Sequence, residues 1–313
     1  MNGREVRPAR GPDVASIEAI WHACLREVAW EGVGRADLER AIEDVARNPA
    51  GTLVALDGGV VVGSLTTRTN DLSVAPGSRR RGHGRALLDA AVARAREAGE
   101  PYVLLYVPGG GEPPRDTPAR LFATATGMTY RATLTRMRRD GLAAVADLVP
   151  PAGVVLRPIS PGEDLGRYVA MINASFADHP TYFHLDADDV ARAHAAPGFD
   201  HEGIALLAAT GQPDAPIAFV RTYVESDDAG VPAGVVGHVG VLPAWRGRGL
   251  GRVLLRWALR RFSSLGLDRA ELSVVAANES ALRLYATEGF RTIVAWPQWA
   301  RDTGFVGPSH KSR

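Results

Sequence analysis

Residues 74–88 read VAPGSRRRGHGRALL and residues 241–255 read VLPAWRGRGLGRVLL, and at a shift of 167 nine of the fifteen positions are identical. A repetition at fixed offset constrains the fold more than any single residue, because it makes the chain one plan used twice. The same shift carries Gly99 onto Gly266. The starts of the two copies match at a smaller shift of 150, where Val6-Arg7-Pro8 resembles Leu156-Arg157-Pro158. The second copy therefore carries extra residues before its loop, which the spacing puts around 196–233. Two copies make a tandem duplication and not a solenoid.

At 313 residues the chain is long enough for two domains, each with its own core. The stretch ADLVPPAGVV at 146–155 supplies paired prolines and a glycine between two patterned regions. It predicts units at 1–148 and 149–303, with a disordered tail at 304–313. Periodicity in the first unit predicts helices over 13–29 and 37–47, a hairpin of 52–57 and 59–68 turned at Gly58 or Gly59, and a strand at 71–74. A glycine loop, a helix to Ala98 and a strand at 102–107 follow. The second unit repeats the order with a helix over 162–176, strands at 204–209, 218–224 and 235–241, the loop, a helix to Ser264 and a strand at 270–275. A short helix over 280–288 ends at Gly289. Helices alternating with strands make each unit α/β or α+β.

Composition removes several chemistries. Lys311, near the chain end, is the only lysine among 36 basic side chains, so neither a Schiff-base lysine nor a P-loop lysine is on offer. The single cysteine, Cys24, rules out disulfides, thiolate zinc sites and iron–sulfur clusters and suits a reducing compartment. A net charge of +1 argues against a nucleic-acid or polybasic membrane surface. No window approaches a membrane span, and Met1 to Gly11 shows no apolar core of a signal peptide. These features read as a soluble cytoplasmic protein.

The loop Arg246-Gly247-Arg248-Gly249-Leu250-Gly251 joins a strand to a helix start. Glycines there let backbone N–H groups converge, and with the positive end of the helix they form a pyrophosphate site. Arg248 and Arg252 add charge beside it, and the first unit has the same parts in Arg79, Arg81, Gly82, Gly84 and Arg85. A dinucleotide fingerprint needs a third glycine where Leu254 stands, and a Walker loop needs Gly-Lys-Ser/Thr.

Arg-x-x-Gly-x-Gly between a Val-x-Pro strand end and a Leu-Leu helix resembles the acyl-CoA loop of the GCN5-related N-acetyltransferases. It occurs twice, as Arg79/Gly82/Gly84 and Arg246/Gly249/Gly251. Asn278, followed by Leu284-Tyr285-Ala286-Thr287-Glu288-Gly289-Phe290, is similar to the family's closing motif. The resemblance spans about 1–138 and 155–300. It implies two tandem domains, each a mixed, mostly antiparallel sheet flanked by helices, in an organisation similar to that of mycothiol synthase.

The resemblance also implies amine attack on an acetyl-CoA thioester, with a small-molecule primary amine as acceptor and no metal. The site is then read as Arg246, Gly247, Arg248, Gly249, Gly251, Arg252 and Asn278 for the cofactor, with Val239 and Val241 on the strand supplying a backbone oxyanion donor. Tyr285 takes the family's place for the acid that meets the departing thiolate. The first unit has Phe122 where the second has Tyr285, and PGGGEPPRD at 108–116 replaces the Asn278 region. Catalysis is therefore expected in the second unit, and the first is expected to be structural or to hold acyl-CoA unproductively through Arg79, Gly82 and Gly84. Eleven positions before Arg246, where some members carry glutamate, stands Val235. His238 is the titratable side chain on that strand and the leading candidate base, with His201 and Glu202 as alternatives. Asn173, Phe176, His179, Tyr182 and His184 suggest an acceptor wall, with Trp21, His22, Trp30 and Glu31 as first-unit counterparts. An acyl-CoA-binding module without turnover is the competing function.

Overall fold

The computed structural model describes residues 4–27, 35–67, 70–107, 117–146, 149–160, 162–177, 185–195, 199–226 and 230–305. The chain folds in the order β1 (Arg4–Pro8), α1 (Val14–Glu27), α2 (Arg35–Arg47), β2 (Thr52–Asp57), β3 (Val60–Thr66), β4 (Asp71–Val74), α3 (His83–Glu97), β5 (Tyr102–Tyr106), α4 (Pro118–Ala125) and β6 (Thr129–Asp140). It continues with β7 (Val154–Pro158), α5 (Leu165–Phe176), α6 (Ala187–His194), β8 (Ile204–Ala209), β9 (Gln212–Ser226), β10 (Pro232–Val241), α7 (Leu250–Ser264), β11 (Arg269–Val275), α8 (Glu279–Thr287) and β12 (Arg291–Asp302).

In the first unit, β1-β2-β3-β4 form an antiparallel sheet. The alternation of β2 divides its side chains between two cores: Leu53 and Ala55 meet Leu87, Leu88 and Ala91 of α3, whereas Val54 and Leu56 meet Ile17, Ile20, Trp21 and Cys24 of α1. The α1 positions follow the spacing that makes one helical stripe. Gly58 and Gly59 turn the β2–β3 hairpin, both at positive φ, as a two-residue turn of this kind requires.

The second unit repeats this arrangement. Its strands run in the order β6-β11-β10-β9-β8-β7, with β10 and β11 parallel and the pairs β7–β8, β8–β9 and β9–β10 antiparallel. Ile204, Leu206 and Phe219 face Tyr168, Met171 and Ile172 of α5, while Ala205, Leu207, Ala218 and Val220 face Leu254, Ala258 and Phe262 of α7. The sheet is thus covered on both faces, and β8 accordingly reads as an unbroken apolar run. The expected mixed, mostly antiparallel sheet flanked by helices is what forms. The extra length of the second copy lies mainly in one hairpin: arms of 7 and 4 residues in β3 and β4 become 15 and 10 in β9 and β10.

Sequence periodicity does not reveal β1 and β7, although both begin the repeats. Each carries an arginine that makes a two-pronged ion pair with the acid opening the next helix: Arg7 with Asp13 at 2.7 and 3.0 Å, Arg157 with Asp164 at 2.5 and 2.7 Å. The guanidinium hydrogen bonds hold both carboxyls below the usual carboxylate range. The same clasp built twice is independent support for duplication.

The compact units do not follow a cut at 148/149. One comprises residues 1–134 with 294–313, the other residues 135–293. In the first, Gln298–Asp302 of β12 pairs antiparallel with Tyr106–Tyr102 of β5. In the second, residues 135–140 of β6 lie beside β11, where Arg136 and Arg138 reach Glu271. Each unit is therefore completed by a strand that follows the other unit's short helix, and the Pro-Pro-Gly stretch marks only a loop. Of the expected tail, Phe305 packs near Gly99 and residues 306–313 lie outside the described residues.

Candidate functional site

Both glycine loops fold the same way. In the second unit Gly247 and Gly249 take φ of 77° and 78°, and Gly249 caps α7 in the left-handed conformation. In the first unit the matching positions are Arg80 at φ 61° and Gly82 at φ 89°. The left-handed bend falls at the same step of the repeat even where the residue is an arginine. Following Gly247 to Gly251, the next backbone donor to find a backbone acceptor is Arg252, which bonds Gly249 O. Among the described residues, then, five successive N–H groups donate to no backbone oxygen. They stand at the positive end of a fifteen-residue helix, the arrangement that holds phosphate oxygens.

The arginines divide by task. Arg246 donates from Nε to Val241 O at 3.2 Å and from Nη2 to Ser175 O at 3.0 Å, tying the loop to the end of β10 and the last turn of α5. Arg79 does the same in the first unit, to Val74 O at 3.1 Å and Cys24 Sγ at 3.4 Å. These two brace the loop. Arg248 is exposed, lies over the Trp245 ring at 4.6 Å and donates from Nη2 to Ala244 O at 3.3 Å. Arg252 bonds Thr287 Oγ1 at 3.1 Å and Glu288 at 3.1 Å, and Arg256 joins the same buried carboxylate at 2.9 Å. In the first unit Asp57 stands 3.7 Å from Arg81 and 3.6 Å from His83, placing a carboxylate beside the start of α3.

The last glycine of each loop serves the short helix. A Cβ on Gly251 would lie 3.4 Å from Leu284, and one on Gly84 would lie 3.3 Å from the Phe122 ring. Gly251 and Gly84 therefore let α8 and α4 close on the helix starts. Asn278 caps α8, accepting from Ala281 N at 3.1 Å and Ser280 Oγ at 3.0 Å. Thr117 caps α4 in the same way. Tyr285 packs its ring against the α7 core 6.1 Å from Phe290, and burial pushes its phenol up to about 12. A phenol held there stays protonated at neutral pH and keeps its O–H as a donor.

On β10, Gly237 is a bulge between Val236 and His238 in the pairing with β9. The parallel ladder with β11 ends at Val236–Leu272, although β10 runs on to Val241. Among the described residues, His238–Val241 pair with β9 and with no other strand, and Val239 and Val241 turn their side chains to the α7 core. His238 is half-buried on the α5 face with its ring edge-on to Phe176 at 5.8 Å. Its repeat partner in the first unit is Asp71, a carboxyl that burial raises to about 6.

Other expected site residues have structural duties. Asn173 exchanges two hydrogen bonds with the Leu185 backbone, at 2.8 and 3.1 Å. His201 packs against His194 and Phe199, and Asp200 beside it is gripped by Arg261 at 2.9–3.0 Å. The Glu202 carbonyl accepts from Arg261. Trp21 is buried and bonds Ser64 Oγ at 3.0 Å, while His22 stands 3.8 Å from Glu18 on the surface. His179, Tyr182, His184, Trp30, Glu31 and residues 108–116 lie outside the described residues.

Two residues of the α5 face escape sequence reading. Glu271, paired with Val235, is buried and clamped by Arg136 and Arg138 at 2.5–2.8 Å. Arg221 is paired with His238. Their signal was a charged residue in an otherwise apolar strand. Among the described residues no group of three or more His, Cys, Asp or Glu could hold a metal, and no helix is long and apolar enough to cross a membrane.

Comparison with known proteins places this geometry. A mycothiol acetyltransferase of Thermomonospora curvata is 33% identical over 288 residues, covering 89% of this chain and 90% of that one. A GCN5-related N-acetyltransferase from Sphaerobacter thermophilus superposes with a TM-score of 0.68 over 96% of both chains at 19% identity. A tandem GNAT protein from the clavulanic acid biosynthesis pathway gives 0.57 over 98% and 99% at 22% identity. The sequence profile of the acetyltransferase (GNAT) family matches twice, at residues 15–124 and 168–290, and each match contains one of the two loops. The chain is a tandem member of that family, an acetyltransferase built from two copies of its fold.

Proposed function

We propose that the protein moves the acetyl group of acetyl-CoA to a primary amine of a small molecule, by direct attack in a ternary complex, and that the second unit does the chemistry. The observation that carries this reading is the row of five N–H groups from Gly247 to Gly251 at the start of α7, with Tyr285 on the neighbouring helix. The loop fits the pyrophosphate of coenzyme A, and Arg248 adds charge that can swing toward it. The edge of β10 beyond Val236 offers backbone groups to the rest of the donor and to the oxyanion.

In the reaction the amine nitrogen forms a bond to the thioester carbonyl carbon. His238 takes the proton that the amine must lose, directly or through water. Collapse of the tetrahedral centre breaks the carbon–sulfur bond, and the thiolate leaves against the Tyr285 hydroxyl. The first unit has the loop but Phe122 in place of that hydroxyl, and Asp57 beside its loop weakens the anion site. Its role is structural, or the holding of acyl-CoA without turnover.

Full-length likeness to a protein named mycothiol acetyltransferase favours a second reading of the acceptor, namely the amine which that relative acetylates. Both readings meet one test: CoA release from acetyl-CoA with a panel of amino sugars, polyamines, aminoglycosides, amino acids and the relatives' own acceptor. Saturable release with intersecting double-reciprocal lines is expected. Parallel lines would replace direct attack by a covalent intermediate, and acetyl-CoA binding without release for any amine would make the protein a binding module.

A further inference from the structure

The α5 face of the second unit's sheet presents a cation beside the candidate base that the loop and Tyr285 do not account for. Arg221 on β9 is the direct antiparallel partner of His238 on β10, so both side chains rise from the same face. Its guanidinium lies 5.3 Å from the Phe199 ring and 5.8 Å from the Tyr223 ring, within cation–π reach of both. Arg221 is half-buried, yet among the described residues no carboxylate pairs with it. Other arginines of this unit do have carboxylate partners: Arg136 and Arg138 pair with Glu271, Arg256 with Glu288 and Arg261 with Asp200. Asp200, next to the Phe199 whose ring Arg221 faces, is thus already engaged. The field of Arg221 is felt locally as well, since burial, then His201 and Arg221, bring His194 down to about 4. A part-buried guanidinium beside two aromatic rings, paired with no carboxylate among the described residues, is a ready partner for an incoming oxyanion, which its planar fork binds in two places.

We infer that Arg221 anchors the acceptor, and that the acceptor is an amine carrying an anionic oxygen group, carboxylate or phosphate, a few bonds from its nitrogen. The inference rests on the acetyltransferase reading of this site. Cross-strand pairing puts Arg221 and His238 side by side on one face, and an acceptor that bridges the two side chains carries its anionic group near its nitrogen.

The test uses the whole chain, CoA release, and matched acceptors: α-amino acids against their amides, and glucosamine 6-phosphate against glucosamine. The wild-type protein should favour the anionic member of one pair by roughly 30-fold or more in kcat/KM, the size of a lost charge-assisted contact. A preference in the first pair assigns the carboxylate, and one in the second assigns the phosphate. Arg221→Gln should erase the preference by raising KM for the anionic member alone, leaving the neutral member and the KM for acetyl-CoA within about threefold. Arg221→Lys, which keeps the charge but not the fork, should recover part of it. Equal use of both members by the wild type, or an equal loss for both in Arg221→Gln, overturns the inference and leaves the acetyltransferase reading in place. So does acetylation confined to amines outside both pairs. Acetyl-CoA binding with no release for any amine overturns both.

Discussion

Replacing Tyr285 by phenylalanine removes one oxygen and leaves the ring on Phe290 and the α7 core. The structure sets the size of the effect. Burial pushes the phenol up to about 12, above the ~8.5 of a free thiol, so outright proton transfer to the departing thiolate runs uphill. Tyr285 therefore acts mainly by hydrogen-bonding the thiolate as charge gathers on sulfur. Losing a hydrogen bond to a charged group costs about 1.5–3 kcal/mol, which corresponds to a drop in kcat of roughly 10- to 150-fold. Because the contact forms as the bond breaks, KM for acetyl-CoA and for the amine should stay put, and with the ring unmoved the melting temperature should change by less than about 2 °C. Steady-state CoA release on Tyr285→Phe, with a pH profile on the wild type, checks both halves. The phenol titrates far above neutrality, so the wild-type profile should show no falling limb from this group below about pH 11. An unchanged kcat refutes the role of the hydroxyl. A wild-type falling limb near pH 9 that the variant lacks refutes the argument from burial.

Three further outcomes follow from particular side chains. Asp71 has a carboxyl raised by burial to about 6 from 3.8, so the folded state binds the proton more tightly and stability falls as pH rises from about 4 to 6; Asp71→Asn should remove up to ~3 kcal/mol of that loss, giving a variant that outmelts the wild type at pH 7.5 but not at pH 4. A wild-type-to-variant difference independent of pH would refute it. A Cβ on Gly240 would fall 2.1 Å from the Phe219 ring, so Gly240→Ala should cost roughly 1–3 kcal/mol in urea unfolding, and Phe219→Leu in the same chain should return part of it. Arg80 and Gly247 share the left-handed step of the two loops, so Gly247→Arg should cost about 1–2 kcal/mol while Arg80→Gly changes stability by no more than about 1 kcal/mol; equal costs for the two would refute the equivalence of the loops.

The repeat made much of this fold legible, because identical loops at fixed offset locate a strand end and a helix start twice. Strands whose apolar run is unbroken, such as Ile204–Ala209, and helices with one stripe, such as Val14–Glu27, stood out by period alone. Strands that carry charge did not. β6 reads TYRATLTRMRRD, and its arginines look like a solvated loop until Glu271 is placed opposite them. The same blindness hid Arg221, whose meaning depends on the His238 pairing. Within the site, the loop's position was readable from its glycines. The distribution of labour was not: Arg246 and Arg79 brace, Gly251 and Gly84 admit a helix, and Asn278 caps one. Each of those duties is a contact with a residue far along the chain or with the backbone, which spacing alone does not express.

The make-up of the compact units bears on how the chain comes to be folded at all. Residues 1–134 leave the ribosome early, but the segment that pairs with β5, Gln298–Asp302, is synthesised only after all of residues 135–293. The first unit must wait through that interval with the edge of β5 uncovered, a site open to wrong partners. Gene fragments divided at the proline-rich stretch would each be short of a strand, and co-expressing the two halves should restore folding that neither attains alone. A repeat whose copies trade their closing strands leaves each half dependent on the other's chain for its last strand.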